Sequence, residues 1–454
     1  MPLRRNGWRD RNRVLAVAAT LICGTANAQE TALTPAQMLD AANRLVLTQR
    51  PSPALGLAEA LIARDPRDYS ARLTASYAAR DLGAFDQAET HAKVAWDVAQ
   101  TGQQKFDAAL AVAQAQASAG KRGRAQIWLR RAAQSAPNAQ SRARAVRDYS
   151  YVRARNPWSY DLNIAIAPSD NLNNGTSTQI WSTGAFDIPV PAEMQALSGW
   201  SMTTAASVSR TVVEREDRRD RIGLQLVRRD VHLSDEAKAA APSLRNSDFT
   251  YQQAEAFYER SQRFSFGELV GRASAGKSFY GGAPMADFGR VSLDWERARV
   301  NGIIGAQVSL EREYRRDNAL RSANKHGLGL RWGERVGAGN LLATVDWKRT
   351  TSDSVAVDNE KWAGRVQYTL AKPVLGAQLS VWAGLSQTSF DYSPYTNGTR
   401  RDLGREFGVS AFLAQHDYLG FAPEVAVTWD ETRSDAVLYQ RSETAISLRL
   451  RSTF

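Results

Sequence analysis

The 454-residue chain has one cysteine, Cys23, and four histidines, His91, His232, His326 and His416. If the segment carrying Cys23 is removed on maturation, no disulfide, thiolate metal site or cysteine nucleophile is available. His232, His326 and His416 lack a second histidine or a paired carboxylate at ligand spacing, so each is expected at an interface or in a loop. His91 is expected on a solvated helix face. No run of eighteen apolar residues exists, and mean hydropathy is −0.42. That excludes a helical membrane protein but leaves a β-barrel untouched, because barrel strands are only half apolar. A dense basic patch is also missing. The net charge is +11, of which +4 falls before Ala28, and the remaining arginines are scattered through alternating segments. No nucleic-acid partner is expected from such a distribution.

The amino terminus has arginines at 4, 5, 9, 11 and 13, a short apolar stretch at 14–22, and Ala26-Asn27-Ala28. This is the layout of a secretory signal peptide over 1–28, with cleavage after Ala28.

Residues 29–157 read as a helical domain. From Thr34 the chain is rich in Ala, Gln and Arg, with breakers at regular distances: Gly83 and Gly120, then Pro66 and Pro137. The spacing suggests about three helix-turn-helix repeats of the tetratricopeptide (TPR) kind, a plain helical hairpin bundle being the alternative. Ala75, Ser76, Ala88 and Ala95, like Val112, Ala113, Ala125 and Ala132, take the small positions at which helices approach closely. Leu73, Leu82, Ile127 and Leu129 are expected in the seam. Tyr77, Arg80, Asp107 and Gln114 would then line a concave groove suited to an extended peptide or protein surface.

From Trp158 the composition shifts to glycine, aromatics and alternating strands, and nine of the twelve tryptophans lie there. At the end of the chain Ile446, Leu448, Leu450 and Phe454 share one face, opposite Ser447, Arg449, Arg451 and Thr453. An oily face backed by a charged one fits a strand between lipid and a wet lumen. Such a terminal strand is also where barrel-assembly machinery and periplasmic chaperones are expected to engage. Fourteen strands are expected over 158–454, and the fourth combines Gln253 and Glu255 with Tyr251 and Phe257 on one face, which suggests a misregister or a bulge. Long connections (169–198, 230–247, 277–287, 390–404) alternate with short ones (260–262, 372–374, 416–418), as in outer-membrane barrels. The fold class is therefore α + β: TPR-like helical repeats followed by a roughly fourteen-stranded antiparallel transmembrane barrel. It would sit in outer-membrane lipid with its helices in the periplasm.

Chemistry is scarce. Ser274 and Lys277 match a Ser-x-x-Lys pattern but run along a strand, and Asp170-Asn171-Leu172-Asn173-Asn174-Gly175 reads as a turn. Asp346, Lys348, Arg365, Glu424, Arg449 and Arg451 would give the lumen charge of both signs, fitting a hydrated passage. No catalytic, cofactor or metal residues are expected, and an enzyme is the least favoured class.

The leader, the helical repeats and the barrel together resemble the surface lipoprotein assembly modulators (Slam). Locally the likeness lies in Tyr160-Asp161-Leu162-Asn163-Ile164-Ala165-Ile166 and the following Ser169-Asp170-Asn171-Leu172-Asn173. The resemblance implies a translocon moving particular lipoproteins, or small secreted metal- or haem-acquisition proteins, to the cell surface. A polysaccharide exporter and a passive diffusion porin are the alternatives.

Overall fold

In the computed structural model the described residues are 33–182, 186–396 and 398–454; the expected signal peptide, with Cys23, falls outside them. Seven helices come first: α1 Pro35–Leu47, α2 Pro51–Arg64, α3 Tyr69–Asp81, α4 Phe85–Val98, α5 Gly102–Ser118, α6 Arg122–Ser135 and α7 Ala139–Arg155. Their starts are chemically marked. Thr34 and Thr101 form capping boxes with Gln37 and Gln104, and Pro35 and Pro51 open α1 and α2 where no amide donor is needed. Gly83 and Gly120 sit at φ +79° and +76°, so they end α3 and α5 in the left-handed conformation that lets the chain double back.

α1–α2, α3–α4 and α5–α6 form three hairpins and α7 caps the stack. Alanine at 75, 88, 95, 125 and 132 is fully buried, which brings the helices close. Trp96 meets Trp128 edge-on at 5.3 Å, and Leu129 joins that core. Ile127 and Leu82 do not fill the seam; they are 54% and 46% exposed, because α6 turns Trp128 and Leu129 inward instead. His91 is not solvated either. It is 8% exposed on α4, with Nδ1 3.1 Å from Arg72 of α3. Burial, then the neighbouring guanidinium, holds its pKa below the usual imidazole value.

Fourteen strands close the barrel: β1 Trp158–Ser169, β4 Gly199–Glu214, β5 Arg218–Leu233, β6 Tyr251–Phe264, β7 Gly267–Tyr280, β8 Ala283–Arg299, β9 Gly302–Arg315, β10 Ala323–Val336, β11 Gly339–Ser352, β12 Asn359–Leu370, β13 Gln378–Ser393, β14 Gly398–Phe412, β15 Phe421–Ser434 and β16 Arg441–Ser452. A small hairpin, β2 Ile180–Ser182 with β3 Asp187–Pro189, belongs to the loop after β1. Each barrel strand pairs antiparallel with its neighbours, and β16 returns to β1. On the outer face Leu224, Leu293, Leu330, Leu385, Phe407 and Leu448 are 46–66% exposed. A closed cylinder with an apolar exterior, its strands paired all round except along part of the β1–β16 seam, matches the outer-membrane solvent.

Every expected strand exists, but several run longer, and this weakens the expected alternation of loops. The long connection read at 277–287 is a two-residue turn, Gly281-Gly282, and 390–404 contracts to 394–397. Residues 260–262 lie inside β6, and the connection expected at 416–418 spans eight residues, 413–420. β6 is not bulged: its registers with β5 and β7 run without a shift. Tyr251, Gln253, Glu255 and Phe257 all face the lumen, where Arg272 covers the Phe257 ring at 3.9 Å.

Both chain ends of the barrel, 158 and 454, lie at one end, called here the terminal end. At the opposite end the 170–198 loop leans across the mouth. Leu172, 1% exposed, is buried with Val231 and Leu233; Thr176 Oγ1 donates to the Gln440 carbonyl at 3.0 Å; Trp181 meets Tyr395 edge-on at 5.6 Å. Asn171 closes this turn on Gly175, donating from Nδ2 at 2.9 Å and accepting at Oδ1 at 2.8 Å.

Candidate functional site

The lumen wall is built by the period of the strands. Side chains on the face opposite the lipid-exposed leucines carry the charges, and those charges are mostly matched. From β5 to β10 one chain of ion pairs crosses six strands: Arg221 with Glu259, Glu259 with Arg272 at 3.8 Å, Arg272 with Glu255 at 2.9 Å, Glu255 with Arg290 at 3.7 Å, Arg290 with Glu311 at 2.6 Å, and Glu311 with Lys325 at 2.8 Å. On the other wall Arg365 meets Glu406 at 3.1 Å, and Glu424 holds Arg449 at 2.6 Å and Arg451 at 3.4 Å. Asp346 and Lys348 face the lumen on β11 by the same register. Such a surface is wet and of mixed sign rather than an ion filter.

Bulky lumen residues lie over glycines of adjacent strands. A Cβ at Gly408 would come within 2.0 Å of the Trp382 ring, and one at Gly276 within 2.5 Å of Phe288. Trp382 Nε1 donates to Glu406 at 2.6 Å, fixing the indole inside the barrel. Ser274 and Lys277 fall on opposite faces of β7, so the Ser-x-x-Lys pattern brings no pair together.

At the terminal end the helical domain is fastened to the barrel by Arg130 of α6. Its guanidinium donates to the carbonyls of Leu419 at 2.9 Å and Gly420 at 3.2 Å, to Ser452 Oγ at 3.1 Å, and to Tyr149 Oη at 3.0 Å. It also lies against the rings of Phe421, Phe454 and Tyr149 at 4.4, 4.7 and 4.8 Å. Arg142 pairs with Asp417 at 2.8 Å, and the Leu419 amide donates to Gln134 Oε1 at 2.8 Å. Ile446, Leu448 and Leu450 point outward, about half exposed. Phe454 departs from that face: β16 ends at Ser452, and the ring turns under the helices to meet Tyr149 edge-on at 5.2 Å.

Between α6, α7 and this rim lies a cavity of about 2280 Å³. Its lining includes ten basic residues, among them Lys121, Arg122, Arg124, Arg153, Arg449 and Arg451, against three acidic ones, Asp161, Glu214 and Glu255. Ile127 opens onto it, which accounts for its exposure. The sequence gives no local sign of Arg130 or of this cavity, because the partners are some 290 residues apart.

The groove residues come together on α3 and α5. Arg80 Nη1 donates to Gln114 Oε1 at 2.5 Å and lies 5.7 Å from the Tyr77 ring. Burial, then the Asp107 carboxylate, raises the Tyr77 pKa, and Arg144 of α7, not singled out from the sequence, acts on the same hydroxyl. Asp107 itself accepts from Gln103 at 2.8 Å. All four are partly buried, and Arg80 and Gln114 satisfy one another, so a ligand there would compete with that hydrogen bond.

No protein-family model and no curated protein matches the chain. Among solved structures, a BenF-like porin from Pseudomonas fluorescens is similar over 65% of this chain and 98% of its own, at 10% identity and a TM-score of 0.36. A bacterial polysaccharide outer membrane secretin is similar over 64% of this chain and 98% of its own, at 9% identity and 0.32. The helical part is similar to the first TPR domain of human RPAP3, over 27% of this chain and 94% of that one, at 16% identity and 0.24. Likenesses this low say nothing of cargo.

Proposed function

We propose that this barrel is an outer-membrane translocon that delivers specific lipoproteins, or small secreted proteins of the metal- or haem-acquisition type, from the periplasm to the cell surface. The terminal end faces the periplasm, and the helices receive the client there. The observation that carries this reading is the Arg130 latch. It holds a helical domain against the rim, so cargo approaching the lumen from that side meets the helices first. A passive porin gains nothing from such an obstruction, whereas a carrier of selected proteins needs a surface that inspects them. The resemblance to surface lipoprotein assembly modulators agrees with that division of labour. Energy for passage would come from folding or binding of the client outside.

The basic cavity favours one second reading, export of an anionic polysaccharide. The balanced ion pairs of the lumen count against it, since a polyanion would meet carboxylates such as Glu255, Glu311 and Glu424 along its way. Deleting the gene and shaving intact cells with protease tests the proposal. Loss of surface exposure of a particular lipoprotein or secreted protein is expected; unchanged exposure of every candidate client, with loss of a surface polymer, would replace protein export by polymer export.

A further inference from the structure

The wall of the barrel has one weak seam. β1 is registered against all of its length on β4, from Trp158 opposite Arg210 to Ser169 opposite Gly199. Against β16 it is registered only at Ala165, Ile166 and Ser169, opposite Arg449, Leu448 and Ala445. Continuing that register would set Ile164, Asn163 and Leu162 against Leu450, Arg451 and Ser452, but the ladder does not continue. Residues 159–164 therefore present a backbone edge toward a notch at the terminal end of the wall, beyond Trp158, whose amide donates to Asn156 Oδ1 at 3.2 Å. An unpaired edge is a template for another strand, and in a membrane wall its amides and carbonyls are costly to leave without partners.

The notch opens onto the basic cavity, whose lining includes Trp158, Tyr160, Asn163, Leu450 and Ser452. Helix α6 borders it: a Cβ on Gly123 would touch the Tyr160 ring at 3.9 Å. Arg122 and Arg124 in its first turn, and Arg153 on α7, have no carboxylate partner among the described residues. The amino-terminal end of α6 has no side-chain cap, which adds to the positive potential.

We infer that the free edge of β1 takes up an extended polypeptide segment as an added strand, and that the segment it fits alternates apolar with acidic residues. The two faces of the notch dictate the alternation. Tyr160 and Leu162, 64% and 61% exposed, continue the lipid face, so an added strand must put apolar side chains beside them. Its other side chains point toward the lumen rim, where the unpaired Arg122, Arg124 and Arg153 line the same cavity as Arg449 and Arg451, the latter two held by Glu424. Main-chain pairing supplies affinity and the alternating side chains supply selection. A polysaccharide has no backbone ladder and cannot make this contact. The inference rests on the export reading only for why such a segment arrives; its test does not need export.

The full chain in detergent micelles is titrated against a fluorescein-labelled peptide alternating valine and glutamate, about ten residues long, the length of a membrane-crossing strand. Anisotropy should report binding, weaker by about tenfold or more when alternate peptide amides are N-methylated, because the ladder donors are gone. A valine–lysine peptide should not bind the natural chain. The double variant Arg122→Glu and Arg124→Glu, at a half-buried and an exposed position in the first turn of α6, should weaken the valine–glutamate peptide by about tenfold or more. Equal binding of the two peptides, or undiminished binding after N-methylation, overturns the inference. Peptide binding with no export defect in deleted cells would instead overturn the translocon and leave the strand site standing.

Discussion

Replacing Arg130 by alanine should release the helical domain from the rim while leaving the barrel whole. Four of the arginine's hydrogen bonds cross between the two parts, to the carbonyls of Leu419, Gly420 and Phe454 and to Ser452 Oγ. A hydrogen bond from a charged group contributes roughly 1.5–3 kcal/mol. The guanidinium is only partly buried, and the four bonds share two nitrogens, so the low end applies once per nitrogen and about 3 kcal/mol is lost in all. That lowers the ratio of docked to undocked chains by about a hundredfold. The Leu419 amide reads this directly, since its partner is Gln134 of the helical domain. In hydrogen exchange on the full chain in micelles, Leu419 should exchange about a hundredfold faster in the variant. The amide of Leu448, in the middle of β16, should not change. Arg130→Lys keeps the charge but not the fork, so it should fall between. An unchanged Leu419 rate in Arg130→Ala would refute the latch.

Other outcomes follow from single contacts. Gly408→Val pushes a side chain into the Trp382 ring and should destabilise the barrel by about 2 kcal/mol in urea unfolding, with Trp382 fluorescence shifted. Leu375 stands fully exposed at φ +50° beside Gly376 at +82°, so Leu375→Asn should raise the unfolding free energy by about 1 kcal/mol. His91 has a depressed pKa, so the unfolded chain binds its proton more readily. Its stabilising contribution is present above the unfolded value of 6.5 and is lost as pH falls below it. Helix melting followed at 222 nm should fall with acidification, and His91→Gln should flatten that dependence. Glu424→Gln leaves Arg449 and Arg451 uncompensated at the lumen rim and should shift bilayer reversal potentials toward anion preference.

The barrel was legible because two solvents impose period two on each strand. Ile446, Leu448 and Leu450 alternate with Ser447, Arg449 and Arg451 for no other reason. Strand ends were less legible, since hairpins continue past the lipid where no solvent contrast marks them, as at Gly281-Gly282. Inward aromatics broke the pattern wherever a partner on a neighbouring strand made room, as Arg272 does for Phe257 and Gly408 for Trp382. The helix starts and stops were written locally in Thr34, Gly83, Thr101 and Gly120. His91 was misread because its burial depends on Arg72 from another helix. The docking of Phe454 under Tyr149 and Arg130 joins distant parts of the chain, and no window of sequence carries it.

Whether cargo travels through the lumen is tested most directly by a photo-crosslinking residue at two adjacent positions of β16 in living cells. Ala445 faces the lumen opposite Thr428, and Ile446 faces lipid opposite Val427. Crosslinking of the surface-exposed client from Ala445 and not from Ile446 is expected. A client that still reaches the surface without ever crosslinking to Ala445 would contradict passage through the barrel.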